Sequence, residues 1–241
     1  MLIESSKILA ESVKNGEICS SPGGIYFLKG YEKIPEEELK NARMLKDSRT
    51  ISCGVFRDVF IKRYNRKSLW KYLKRLLGYP RSFRCLAVSL LLKNLSIQTP
   101  KVLHASRYFL MTEALPEEKT VFLQNAPEMV REFLPSLVQL HNAGISHGDL
   151  SLRNIYFDRE KETFGLIDFD GSSIRKKALS SHLRTLELAR IISSCFLVLK
   201  YHGKAPDLEA IMEEFLAVYE EKSGMTFSRK TVLKRTRHLL R

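Results

Sequence analysis

The chain has 241 residues, 44% of them apolar and 28% charged, with 40 Lys and Arg against 27 Asp and Glu, a formal net charge of +13. That length supports one sizeable domain or two packed lobes, and the apolar content, with few Gly/Pro/Ser-rich runs, excludes a disordered chain. No stretch reaches the roughly 20 apolar residues of a membrane-spanning helix, the N-terminus carries Glu4 and Glu11 without a secretory apolar segment, and the scattered Cys19, Cys53, Cys85 and Cys195 suggest neither disulfides nor a zinc site.

Residues 20–30 read as a turn followed by a strand, and residues 41–47, 50–56 and 59–64 as three short strands. The last of these, Val59 to Tyr64, alternates β-favouring with polar residues. Residues 66–77, RKSLWKYLKRLL, predict a basic amphipathic helix ended by Gly78 and Pro80. A second helix follows over about 82–94, and Pro100 opens a strand pair, Val102–His104 and Tyr108–Thr112. From Pro127 onward helices dominate, over 127–143 and near 178–201, 207–222 and 228–240. Strands first and helices last is the order of an α+β fold with a small β-rich lobe, about 20–114, over a mainly helical lobe, about 119–241, in a single domain.

Charge is unevenly spread. From Val59 to Thr112 there is no Asp or Glu but twelve Lys and Arg, and after Glu221 the tail carries Lys222, Arg229, Lys230, Lys234, Arg235, Arg237 and Arg241 with no acid. Such blocks attract anionic partners: nucleic acid, lipid headgroups or phosphorylated glycolipid.

The chemistry concentrates in two phrases, HGDLSLRN (His147 to Asn154) and LIDFD (Leu166 to Asp170). Asp149 is a carboxylate able to accept a proton from an attacking hydroxyl, while Asn154 and Asp168 offer oxygens to a divalent metal, the parts that phosphoryl transfer from Mg-ATP needs. Ile155–Phe157 and Phe164–Ile167 read as strands of a hairpin joined by the polar turn Asp158 to Thr163, which would bring Asn154 and Asp168 side by side.

These residues resemble the protein-kinase-like superfamily, and within it the bacterial lipopolysaccharide core kinases, the Kdo kinase and WaaP group. The resemblance spans roughly residues 40 to 200 and rests on VFIKRY, LHNAGISHGDLSLRNIYF, LIDFD, LLLKNLSIQTPKVL and the hinge-like MTEALP. It implies a two-lobed kinase fold, with Asp149 as catalytic base and Asn154 and Asp168 holding Mg2+. It also implies Lys62 on the ATP phosphates and Glu113, in the hinge phrase, at the nucleotide, with His147 a scaffold residue behind the loop. Lys29 and Arg63 compete with Lys62 for its role. Arg153 either brings charge to the phosphates or forms a salt bridge beneath the loop. The implied reaction is phosphorylation of a sugar hydroxyl, Kdo or heptose, of the lipopolysaccharide inner core. The enzyme would be cytoplasmic, peripheral at an anionic surface on the inner face of the inner membrane, and nucleic acid ranks behind glycolipid as partner.

The sequence departs from protein kinases in three places. The turn Lys46-Asp47-Ser48-Arg49, where a glycine-rich loop is expected, contains no glycine, so backbone amides or Arg49 would have to cover the phosphates. The helix after the lysine strand offers Cys85, Ala87 or Ser89 in place of a Glu, and no A-P-E follows Asp170. Two alternatives therefore stand: a small atypical protein or small-molecule kinase of the tRNA-modification-associated type, and a nucleotide-binding pseudokinase.

Overall fold

The computed structural model describes residues 2–22, 24–33, 42–65 and 80–241. The helix expected over 66–77 lies outside the described residues. The chain divides into two compact units, one of residues 1–91 and 99–116, the other of residues 92–98 and 117–241.

The first unit is built on a seven-stranded antiparallel sheet. Its strands are β1 (Cys19–Ser21), β2 (Ile25–Phe27), β3 (Arg43–Asp47), β4 (Ile51–Phe56), β5 (Val59–Tyr64), β6 (Val102–Ala105) and β7 (Phe109–Glu113), in the spatial order β1-β2-β6-β7-β5-β4-β3. Alternation along β5 sets its two faces: Ile61 packs with Leu103 and Met111 in a small core, with Leu28 and Val59 against it. Helix α1 (Leu2–Lys14) precedes the sheet, and α2 (Arg81–Leu92) follows β5 in the chain. Buried Leu86, Ala87 and Val88 of α2 lie in the core, and Phe83 meets Tyr26 edge-on at 5.0 Å between ring centroids.

The second unit is mainly helical. A short 3-10 turn, Pro127–Met129, leads into α3 (Val130–Asn142); the expected single helix is thus split where Pro127 begins the turn. Val130, Phe133, Leu134, Leu137 and Val138 recur at helical spacing and are buried, the pattern of a helix pressed on a core. The longest helix, α4 (Ser181–Tyr201), buries Leu188, Ala189, Ile191, Ile192 and Cys195. α5 (Leu208–Ser223) starts at Asp207, whose side chain accepts from the Glu209 and Ala210 N–H groups, and α6 (Arg229–Leu239) starts at Ser228, which accepts from Thr231 N–H. Three charges of the basic tail are opposed after all: Lys222 pairs with Glu221, Arg229 with Glu213 and Glu220, and Arg237 with Glu209.

Small strands complete this unit. β8 (Thr120–Phe122), β10 (Ile155–Asp158) and β11 (Thr163–Leu166) form one sheet, and β9 (Ile145–Ser146) pairs with β12 (Ser173–Ile174). The expected hairpin is β10–β11, in antiparallel register Ile155↔Leu166 to Asp158↔Thr163. Asp158 Oδ1 closes its turn by accepting from the Glu160 and Lys161 N–H groups at 3.0 and 3.1 Å.

Candidate active site

The hairpin register decides the placement of the two expected metal ligands. One step beyond the pair Ile155↔Leu166, the Ile167 N–H donates to the Asn154 carbonyl at 3.0 Å, so Asp168 follows directly from the residue bonded to Asn154. Asn154 Nδ2 donates to the Asp149 carbonyl at 2.8 Å. That bond spends the amide's donor end on the loop and leaves Oδ1, the end a cation needs, as the acceptor. Asp149 and Asp168 are exposed and Asn154 is half-buried. Asp168 sits in the left-handed region, at φ 63° and ψ 59°, a conformation costing a non-glycine residue about 1 kcal/mol or more. The structure therefore brings Asp149, Asn154 and Asp168 together on one knot of backbone.

His147 ties that knot from behind. It is fully buried; its Nε2–H donates to the Ile167 carbonyl at 2.9 Å, and its Nδ1 accepts from the Asp149 N–H at 3.3 Å. Burial lowers its pKa, which keeps the ring neutral in the tautomer both bonds require. Phe169 packs on the ring at 4.9 Å between centroids. Both ring nitrogens of His147 are thus engaged with the backbone of the loop, the arrangement of a scaffold group. Gly148, at φ 82°, passes so close to Gly171 that a Cβ there would lie 2.1 Å from the Gly171 carbonyl oxygen. The loop before Asn154 and the turn after Asp168 thus touch through backbone alone, which only glycine at 148 permits.

A family model described as the lipopolysaccharide kinase (Kdo/WaaP) family matches residues 33–219. The chain belongs to this family. Its members are phosphotransferases by description, and the fold agrees. A solved structure of WaaP in complex with acyl carrier protein superposes with a TM-score of 0.52 at 15% identity, covering 90% of this chain and 94% of that one. The bifunctional kinase-methyltransferase WbdD aligns at a TM-score of 0.47 and 15% identity, over 79% of this chain and 47% of that one. A curated relative, a probable serine/threonine-protein kinase (fnkB) of Dictyostelium discoideum, is 34% identical over 62 residues, 26% of this chain. The chain spans only 11% of that relative's length. The architecture is protein-kinase-like.

For this member of the lipopolysaccharide kinase family, the sheet-rich unit carries the remaining expected residues. Lys62 lies in β5 opposite Cys53 and Leu110 and is 6% exposed, with Nζ 5.7 Å from the centroid of the Tyr64 ring on the same face. Arg63, next along the strand, is exposed and stacks over Phe109 at 5.8 Å, and Lys29 lies exposed in a turn. Alternation thus separates Lys62 from Arg63, and Lys29 lies on a different element. Glu113 ends β7 opposite Val59, three positions from the residue facing Lys62. Its N–H donates to the Lys101 carbonyl at 3.0 Å, and its carbonyl accepts from Thr112 Oγ1 at 3.0 Å, so both main-chain groups are already engaged.

The turn without glycine closes on itself. Ser48 Oγ accepts from the Thr50 and Ile51 N–H groups at 3.4 and 3.1 Å, the Ser48 N–H donates to the Ile51 carbonyl, and Asn65 Nδ2 donates to the Ser48 carbonyl at 2.9 Å. Those amides are committed within the turn, where Lys46 and Arg49 are the exposed cations. On α2, Cys85, Ala87 and Ser89 are all buried. Arg153 is exposed and forms no ion pair among the described residues.

Two residues of the helical unit were not foreseen. Glu187 of α4 is 1% exposed, and its carboxylate accepts from the His147 N–H at 2.9 Å and the Gly148 N–H at 3.2 Å, with Arg190 Nη1 3.0 Å from Oε1. Ser194, two turns on, accepts from the Leu152 N–H at 3.0 Å. The only acid of α4, set between Leu186 and Leu188, was the available signal, because a carboxylate is buried only where donors meet it.

Proposed function

We propose that this chain is an ATP-dependent kinase that phosphorylates a sugar hydroxyl, Kdo or heptose, of the lipopolysaccharide inner core, acting peripherally at the cytoplasmic face of the inner membrane. The observation that carries this reading is the knot of Asp149, Asn154 and Asp168 in a chain of the lipopolysaccharide kinase family. The donor set fits magnesium, a hard cation that takes carboxylate and amide oxygens: Asn154 Oδ1 and the Asp168 carboxylate would hold it. When bound, the ion offsets charge on the transferring phosphoryl group. Asp149 orients the acceptor hydroxyl and takes its proton as the new O–P bond forms and the β–γ bridging P–O bond breaks, releasing ADP. Lys62 binds the α- and β-phosphates, Arg49 covers them in place of glycine amides, and Glu113 meets the nucleotide. The +13 charge draws in an acceptor rich in phosphate and carboxylate.

Replacing Lys62 with Ala is expected to raise KM for ATP by about 10- to 150-fold, the loss of one charge-assisted contact of about 1.5–3 kcal/mol. An unchanged KM would move the phosphate-binding role to another cation. A pseudokinase is the second reading, favoured by the self-closed turn at Ser48 and by an α2 without a carboxylate. Phosphate transfer from γ-labelled Mg-ATP to inner-core lipopolysaccharide lacking core phosphate separates the two. Labelled glycolipid is the expected product; nucleotide binding with no transfer to glycolipid or soluble sugar would leave the pseudokinase.

A further inference from the structure

Exposed apolar side chains collect at one corner of the helical unit. The last turns of α4 carry Leu197, 50% exposed, and Tyr201, 88% exposed, four residues apart and so on one face of the helix. The chain turns at once, the Lys204 N–H donating back to the Leu199 carbonyl at 3.1 Å, and α5 begins at Leu208. In the first turn of α5, Glu209 accepts from Arg237 of α6 at 2.8 Å; further along, Glu213 accepts from Arg229 at 3.1 Å. These two bonds set α6 antiparallel to α5. They bring the far end of α6, with Leu239 46% exposed, to the α4–α5 connection.

The charges at this corner are one-sided. Lys200, Lys204 and Arg241 are exposed, and none of them is in an ion pair among the described residues. Of the carboxylates in this stretch, Glu209 is paired with Arg237 and Asp207 caps the first turn of α5, so cations exceed free acids here. Apolar tips rimmed by unopposed cations are the chemistry of an interfacial contact with anionic lipid: leucines enter the acyl boundary, tyrosine rests at headgroup depth, and lysines meet phosphates. A tyrosine this far exposed also protrudes. A protein partner would need a matching hollow, whereas a lipid surface deforms around it.

We infer that this corner, Leu197, Tyr201 and Leu239 with Lys200, Lys204 and Arg241, is the surface by which the enzyme rests on an anionic bilayer. The inference rests on the reading of a membrane-borne acceptor given above. It adds a mechanical link: Ser194, which holds the Leu152 N–H of the catalytic loop, lies seven residues before Tyr201 on the same helix, about 10 Å along its axis.

Vesicle sedimentation tests it, using phosphatidylcholine with and without phosphatidylglycerol, alongside phosphate transfer to a delipidated, soluble core oligosaccharide. The unaltered chain is expected to sediment with the anionic vesicles only. The combined Leu197→Ser, Tyr201→Ser and Leu239→Ser variant should lose at least about tenfold in partitioning, with transfer to the soluble acceptor unchanged. Lys200→Glu with Lys204→Glu, which spares the apolar residues, should abolish the preference for anionic vesicles. Undiminished sedimentation of both variants overturns the assignment, and so does an unaltered chain that ignores vesicles but binds a soluble acidic protein through these residues. Vesicle binding that follows expectation in a chain transferring no phosphate would leave the surface standing and sink the kinase reading instead.

Discussion

Asp149→Asn is expected to lower kcat for phosphate transfer by roughly 10²–10⁴-fold, the usual contribution of a positioned general base, with nucleotide affinity nearly unchanged. The substitution keeps the size of the side chain and removes its capacity to take a proton at neutral pH. The bonds that build the loop survive it, because they run through the main chain of residue 149: its N–H to His147 Nδ1 and its carbonyl from Asn154 Nδ2. A fall in kcat without a fall in thermal stability is therefore the signature of the assigned role. Full turnover in the variant would show that the acceptor proton leaves by another route.

Glu187→Ala carries the largest expected loss of stability. The residue touches no substrate in this reading; it positions the loop. Its removal strands the His147 and Gly148 N–H groups in the interior and takes the partner from Arg190. Losing two hydrogen bonds to a buried charge costs about 3–5 kcal/mol, a drop in Tm on the order of 10 °C for a chain of this size. Glu187→Gln retains the shape and one acceptor, so it should recover part of the loss in Tm. A positioning role further predicts that kcat of the Gln variant falls while KM for ATP stays near the original. Equal Tm for all three proteins would mean that the loop is held by something other than Glu187.

Legibility in the sequence followed how locally each feature is encoded. The β10–β11 hairpin could be read because both strands are short apolar runs around a turn built on Asp158, and the pairing of Asn154 with Ile167 follows from that register. The strand that carries Lys62 could be read from its alternation. Helix α1 was not anticipated. Its buried positions include Ser5 and Ser12 beside Leu9, which dilutes the apolar period that marks a helix. Glu187 and Ser194 escaped for a related reason. Arg190, Ser193 and Ser194 read as interruptions of an apolar run, whereas Arg190 pairs with Glu187 and Ser194 receives a loop N–H 42 positions away in the chain. A bond to the backbone of a distant loop leaves no periodic trace in either segment.

The grip of α4 on the loop has a bearing on how such a protein diversifies. Glu187 and Ser194 hold amide hydrogens of His147, Gly148 and Leu152, groups that every residue except proline supplies. The helix therefore dictates the path of the chain while remaining indifferent to most of the side chains strung along it. Exposed loop positions can change without loosening the frame. The anchor itself, a buried acid meeting two amides, leaves little room for another side chain, a demand that exposed loop positions a few ångströms away do not share.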